Sequence, residues 1–127
     1  GTGVWDTPGG GSETMLRGAW YAAPDPARRA DFERRFLSTY GKPPHRLATL
    51  AYDAVALAGH LARQKAGGDF SAEAITNPNG WSGIDGAFRF FPDGRTERAL
   101  AVIEIQGGDR TVVVSPAPTG FAERQTF

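Results

Sequence analysis

Asn79-Gly80-Trp81-Ser82-Gly83-Ile84-Asp85-Gly86-Ala87-Phe88-Arg89-Phe90-Phe91-Pro92-Asp93-Gly94 is the stretch in which the chain changes its period. From Gly83 onward apolar side chains fall at every second position, as in a half-buried strand. Phe88 and Phe90 point one way and Arg89 the other, and Pro92-Asp93-Gly94 supplies a turn. Asp93 is read as a turn residue, because a short carboxylate there accepts from local amides. On the C-terminal side Ala99, Ala101, Ile103 and Ile105 alternate with Leu100, Val102 and Glu104. Gly107-Gly108-Asp109 then turns into Thr111-Val112-Val113-Val114, and Ser115-Pro116-Ala117-Pro118 ends the alternation, leaving a tail. An antiparallel meander is expected from Ala87 to Val114.

On the N-terminal side the period is helical. Asp25 with Pro26 opens a helix, since proline lacks the N–H that a first helical position cannot use. Phe32, Phe36 and Tyr40 form its apolar stripe, with Arg28, Arg29, Glu33 and Arg35 mostly outward. Gly41 stops it and Pro43-Pro44 prevents continuation. A second helix is expected over Arg46–Gln64 from Leu47, Leu50, Ala51, Ala54, Val55, Ala58 and Leu61. Its alanines predict close approach of neighbours and burial on most sides. Ser71 caps a short third helix ending before Asn77-Pro78-Asn79-Gly80. Earlier still, Thr7-Pro8-Gly9-Gly10-Gly11-Ser12 reads as a loop. Ser12 caps a helical turn running to Arg17, and Gly18–Ala23 reads as a short strand or extended crossover.

The chain has 127 residues and no cysteine, with fourteen basic and fourteen acidic side chains. That balance leaves no basic footprint for nucleic acid, and the missing cysteine removes thiol catalysis and thiolate metal sites. Tyr52, Asp53 and His60 interrupt the longest apolar run, which is no membrane span. Gly1 in place of methionine, with Gly1-Thr2-Gly3-Val4-Trp5-Asp6 reading like a strand end entering a loop, predicts a processed or truncated chain. Helices so apolar, with so little strand before them, predict uncovered faces that a missing part of the protein or another copy must pack against.

Catalytic and metal signals are weak. Gly80-Trp81-Ser82-Gly83 lacks the final glycine of a nucleophile elbow and leads into a hairpin; it reads as a turn anchored by Trp81. His45 and His60 are the only histidines and do not form a metal-ligand pair. Gly1-Thr2-Gly3 and Gly9-Gly10-Gly11 lack the remaining residues of dinucleotide and phosphate loops. No enzyme, metal or cofactor is expected.

Three features taken in order resemble one family. They are Phe32…Phe36…Tyr40-Gly41…Pro44 followed by Ala51-Tyr52-Asp53-Ala54-Val55; Asn79–Gly86; and Phe88–Gly94 followed by Leu100–Ile105. Together they are similar to the C-terminal portion of type I periplasmic solute-binding proteins of the leucine/isoleucine/valine-binding kind. They also resemble the related lipoproteins that activate penicillin-binding proteins.

The resemblance implies an α/β fold, part of a two-lobed type I periplasmic-binding architecture: strand, two long helices, a short helix and an antiparallel meander, incomplete as given. It implies that residues 1–17 end a second-lobe strand and form a glycine-rich loop. Residues 18–79 hold a crossover and the first-lobe helix pair, and 80–127 the returning crossover and second-lobe meander. It further implies periplasmic binding of a small polar metabolite, an amino acid or related compound, for an ABC-type membrane transporter. The alternative is an envelope interaction protein without a transport role. Ligand contacts would come from Trp5, stacking on an apolar group, and Asp6, accepting from an ammonium. Others would come from Arg46, pairing with a carboxylate, and Thr49, at the start of the same helix. Tyr52 and Asp53 are expected to fix that helix against its sheet.

Overall fold

Alternation in β5 (Ala101–Gly107) buries Ala101, Ile103 and Ile105 and leaves Val102 and Glu104 on the other face. In the computed structural model, which describes Gly1, Trp5 and residues 14–121, this strand is the middle of a three-stranded antiparallel sheet. It pairs on one side with β1 (Trp20–Ala23) and on the other with β6 (Arg110–Ser115). Tyr21 lies opposite Ile103 and Ala23 opposite Ala101, so one face carries a continuous apolar cluster. Leu16, from a 3₁₀ turn over Thr14–Leu16, and Ala117 pack onto it. On the far face the Trp20 indole donates to Glu104 at 2.8 Å. The β5–β6 turn contains Gly107, Gly108 and Asp109, all at positive φ. Aspartate tolerates that conformation better than most side chains, which fits its place at the tip. These elements belong to unit one, Gly1–Asp25 with Leu100–Pro118.

Unit two is Pro26–Ala99 with Thr119–Phe127. It contains α1 (Pro26–Tyr40), α2 (Ala48–Ala62), α3 (Ala72–Ile75) and a second antiparallel sheet of β2 (Trp81–Gly83), β3 (Gly86–Phe90) and β4 (Thr96–Arg98). Gly41, at φ 69°, stops α1 as expected. The Ser71 hydroxyl accepts from Ala74 N at 3.2 Å and caps α3. The Pro92-Asp93-Gly94 turn closes as read, with Gly94 N bonding Phe91 O at 2.9 Å and Arg95 N bonding Asp93 Oδ1 at 3.0 Å. The Arg95 amide and guanidinium hold the Asp93 carboxyl below its usual range.

Three expectations are modified. The meander is antiparallel throughout, but it does not pair consecutively: β3 and β4 form one hairpin, and β5 joins β1 in the other sheet. Period-two alternation specifies which face is buried, not which strand lies alongside. Ala99 still donates to Ala87 O at 2.9 Å, and the next residue, Leu100, opens the second segment of unit one. The chain passes between the two units after Asp25, Ala99 and Pro118.

Second, α2 is shorter at both ends than expected and is not buried on most sides. Only Thr49, Asp53 and Leu61 are buried, and Val55 is 72% exposed. Ala51, Ala54, Ala58 and Ala62 are exposed. Third, the residues after Pro118 include a packed one: Phe121 lies 4.6 Å beneath the Arg89 guanidinium, which also bonds Glu97. Ser12, expected to cap the first turn, lies outside the described residues.

Candidate functional site

The inward face of α2 carries Thr49, Asp53, Leu57 and Leu61, one helical turn apart in succession. Two of these are polar, which a helix buries only if their hydrogen bonds are met. The β2–β3 turn supplies the partners. Asp53 accepts from Ile84 N at 2.8 Å and Asp85 N at 3.4 Å. Asp85 in turn accepts from the Thr49 hydroxyl through Oδ2 at 2.7 Å. All three side chains are at most 4% exposed. The result is a reciprocal clamp between helix and hairpin, and it confirms the structural role expected for Asp53.

The clamp dictates a glycine. A Cβ at Gly83 would overlap the Asp53 carboxylate, so a side chain there would push the helix off the turn. Asp85 Oδ1, buried in the same place, has no hydrogen-bond partner among the described residues. Beside the clamp lie two hollows. One, about 270 Å³, is lined by Asp53, His60, Trp81, Ser82 and Phe88 among others. The other, about 360 Å³, includes Arg28, Arg35, Tyr52 and Ser82. Arg28 reaches Ser82 Oγ at 3.4 Å and Gly83 O at 3.5 Å, both long.

Ser82 is not set up as a nucleophile. His60 Nε2 sits 2.6 Å from the Gln64 amide and its ring packs edge-on against Trp81 at 5.4 Å. Among the described residues no hydrogen bond joins Ser82 to His60. Trp81 is the anchor expected of it, with Nε1 donating to Ile75 O at 3.2 Å. His45 Nδ1 accepts from Leu47 N at 3.3 Å, a local turn contact. Among the described residues no group of three or more histidine or acidic side chains could hold a metal ion.

The expected ligand contacts are distributed as follows. Trp5 belongs to unit one, is 37% exposed and has its ring against Gly1. Asp6 lies outside the described residues. Arg46 is exposed in the turn before α2, and its carbonyl accepts from Arg29 at 2.9 Å. Thr49 is 2% exposed with its hydroxyl proton committed to Asp85. Arg46 and Thr49 therefore share the start of α2 but not a surface. Asp85 was not singled out by the sequence; the available signal was an acid enclosed between Gly83 and Gly86, where a solvated turn would rarely need both glycines.

No family model matches the chain, and no curated protein sequence matches it. A search of solved structures finds a chain assigned to a branched-chain amino acid ABC transporter from Rhodospirillum rubrum. It superposes with a TM-score of 0.72 at 20% identity, covering 90% of this chain and 36% of that one. The chain matches a fragment of the type I periplasmic-binding fold. It spans little more than a third of the length of that neighbour. Within the type I periplasmic-binding fold, the Asp53 clamp is what ties the second helix of this chain to the hairpin that follows it.

Proposed function

We propose that this chain is part of an extracytoplasmic solute-binding protein, taking an amino acid or related metabolite for delivery to an ABC-type membrane transporter. The observation that carries the reading is the superposition over 90% of the chain on a structure assigned to a branched-chain amino acid ABC transporter. No catalytic arrangement competes with it among the described residues, since Ser82 and His60 are each engaged elsewhere. The protein works by binding and release, not by chemistry on the ligand.

Affinity for a small zwitterion comes from enclosing it while its charged ends meet a few oriented groups. Trp5, with part of its indole exposed, offers a face to an apolar side chain. Asp6, in unit one, is suited to accept from an ammonium, and Arg46, in unit two, to pair with a carboxylate. Thr49 contributes from beneath, because its hydroxyl, held by Asp85, fixes the first turn of the helix that follows Arg46. Further polypeptide, from the rest of the protein or a second copy, completes the enclosing wall.

Isothermal calorimetry tests this by titrating a panel of amino acids into the 127-residue chain and into the longest natural form of the protein. Binding by the long form, weakened at least about tenfold in Trp5→Ala or Asp6→Ala, with little by the short chain, is the expected result. A long form that takes none of them overturns the transport reading in favour of an envelope interaction role. Tight binding by the short chain overturns the shared site.

A further inference from the structure

We propose that Asn79-Gly80, in the turn between α3 and β2, is a self-modifying site: it cyclises to a succinimide and ends as aspartate or isoaspartate whenever the turn opens, and the closed fold holds the reaction back. The sequence supplies both reactants as neighbours. Asn79 is exposed, and among the described residues its side-chain amide has no hydrogen-bond partner. Gly80 has no side chain to shield its backbone nitrogen from the preceding amide carbon. The fold itself demands that glycine. Its φ is 69°, and a Cβ there would lie 2.6 Å from Phe88 O and 2.8 Å from the Phe121 ring. Packing thus fixes one half of the reactive pair, and Asn79 supplies the other.

The reaction needs no partner but water. The Gly80 nitrogen gives its proton to a solvent base and bonds to Asn79 Cγ; the Cγ–Nδ2 bond breaks, and ammonia leaves with a proton taken from water. Water then opens the ring at either carbonyl, leaving a carboxylate at position 79 on a normal or a lengthened main chain. The structure obstructs the first of these events. The Gly80 N–H that must be lost is donated to Asn77 O at 2.9 Å, and Asn79 N donates to Asn77 Oδ1 at 3.0 Å. Both amides are thus held by one residue in a hydrogen-bonded turn. Phe121 packs against Gly80 and stacks on Arg89, whose Nη1 donates to the Pro78 carbonyl at 3.1 Å. Turning the Gly80 nitrogen toward Asn79 Cγ breaks the bond to Asn77 and disturbs the packing against Phe121. Reaction therefore follows local opening. Once isoaspartate forms, the main chain from Pro78 to Trp81 is longer by one carbon, and the turn does not reclose as before.

This inference rests on a turn of unit two and not on the ligand reading, so either can fail alone. The longest natural form of the protein is incubated in mildly alkaline buffer, folded and in unfolding urea, beside a synthetic peptide spanning residues 75–83. Mass spectrometry after proteolysis reads conversion of the Asn79 amide to a carboxyl and distinguishes aspartate from isoaspartate. Conversion in urea and in the peptide should be at least about tenfold faster than in the folded protein. Asn77→Ala and Phe121→Ala should each raise the folded rate while keeping the wild-type circular dichroism, and Asn79→Gln should remove the signal. Equal rates in folded protein and peptide overturn the protective role. No conversion at Asn79 in the peptide overturns the site. A folded rate that neither Asn77→Ala nor Phe121→Ala changes overturns the assignment of the protection to those two residues.

Discussion

Helices α1 and α2 have the same length, fifteen residues, and present opposite surfaces to solvent. The outer side of α1 is a lattice of local charge pairs: Arg29 with Glu33 at 2.9 Å, and Arg34 with Asp31. Ser38 and Thr39 bond back to Arg35 O, each at 2.9 Å, so even its polar side chains are satisfied within the helix. The outer side of α2 has alanines and a valine, while its polar residues Thr49 and Asp53 face inward. One helix turns charged side chains to water and the other turns apolar ones to it. Reading the two together separates charge patterning that supports solubility from patterning that leaves room for a neighbour.

The comparison breaks most severely at Phe32, the one buried residue of α1, which meets Tyr52 of α2 at 5.5 Å between ring centroids. Phe32→Ala should cost about 3–5 kcal/mol of stability by urea denaturation, through lost burial and the cavity left behind. A cost below about 1 kcal/mol would mean that the two helices do not share a core.

A smaller effect is expected at the clamp. Gly83→Ala should destabilise by about 1–3 kcal/mol, since its Cβ is driven into the Asp53 carboxylate. The same substitution in an Asp53→Ala background should cost clearly less, because the obstacle is gone. Equal costs in the two backgrounds would show that the glycine is required by something other than Asp53.

The smallest effect concerns how the far end of α2 is tied down. Asp69 sits just beyond it, with its carboxyl held below 3.8 by the Ser71 hydroxyl first and then by Lys65. A carboxylate favoured in the folded state stabilises it above the unfolded pKa, and that contribution is lost as pH falls through the lowered folded value. The thermal-midpoint difference between wild type and Asp69→Asn should therefore be constant above about pH 5 and close progressively below it. A gap that widens on acidification would reverse the sign assigned here.

Much of this was legible in the chain because local rules decided it. Pro26, Gly41, Ser71 and the Pro92-Asp93-Gly94 turn all act where they stand, through backbone geometry that their own side chains impose. The alternation of Ala101, Ile103 and Ile105 identified the buried face correctly for the same reason. What stayed hidden was pairing at a distance. Nothing in Ala101–Gly107 names Trp20–Ala23 as its neighbour, and nothing near Thr49 names Asp85. The exposure of α2 was misread because alanines at helical spacing look the same whether they are covered or not. Of the expected ligand contacts, Arg46 and Thr49 both stand at the start of α2, yet burial divides them, a distinction that sequence proximity cannot express.

The first sheet has a further consequence, for the order in which the chain acquires structure. Trp20 and Glu104, hydrogen-bonded across β1 and β5, are 84 residues apart, whereas nearly all of unit two is one continuous stretch between them. Among the described strands β1 must wait for β5 before it has a partner, and the entropy of closing so long a loop is greatest while the intervening chain is uncoiled. Once Pro26–Ala99 has condensed, the effective loop is short. During synthesis β1 thus leaves the ribosome before its partner β5, and the two can pair only once the whole of the intervening segment has emerged.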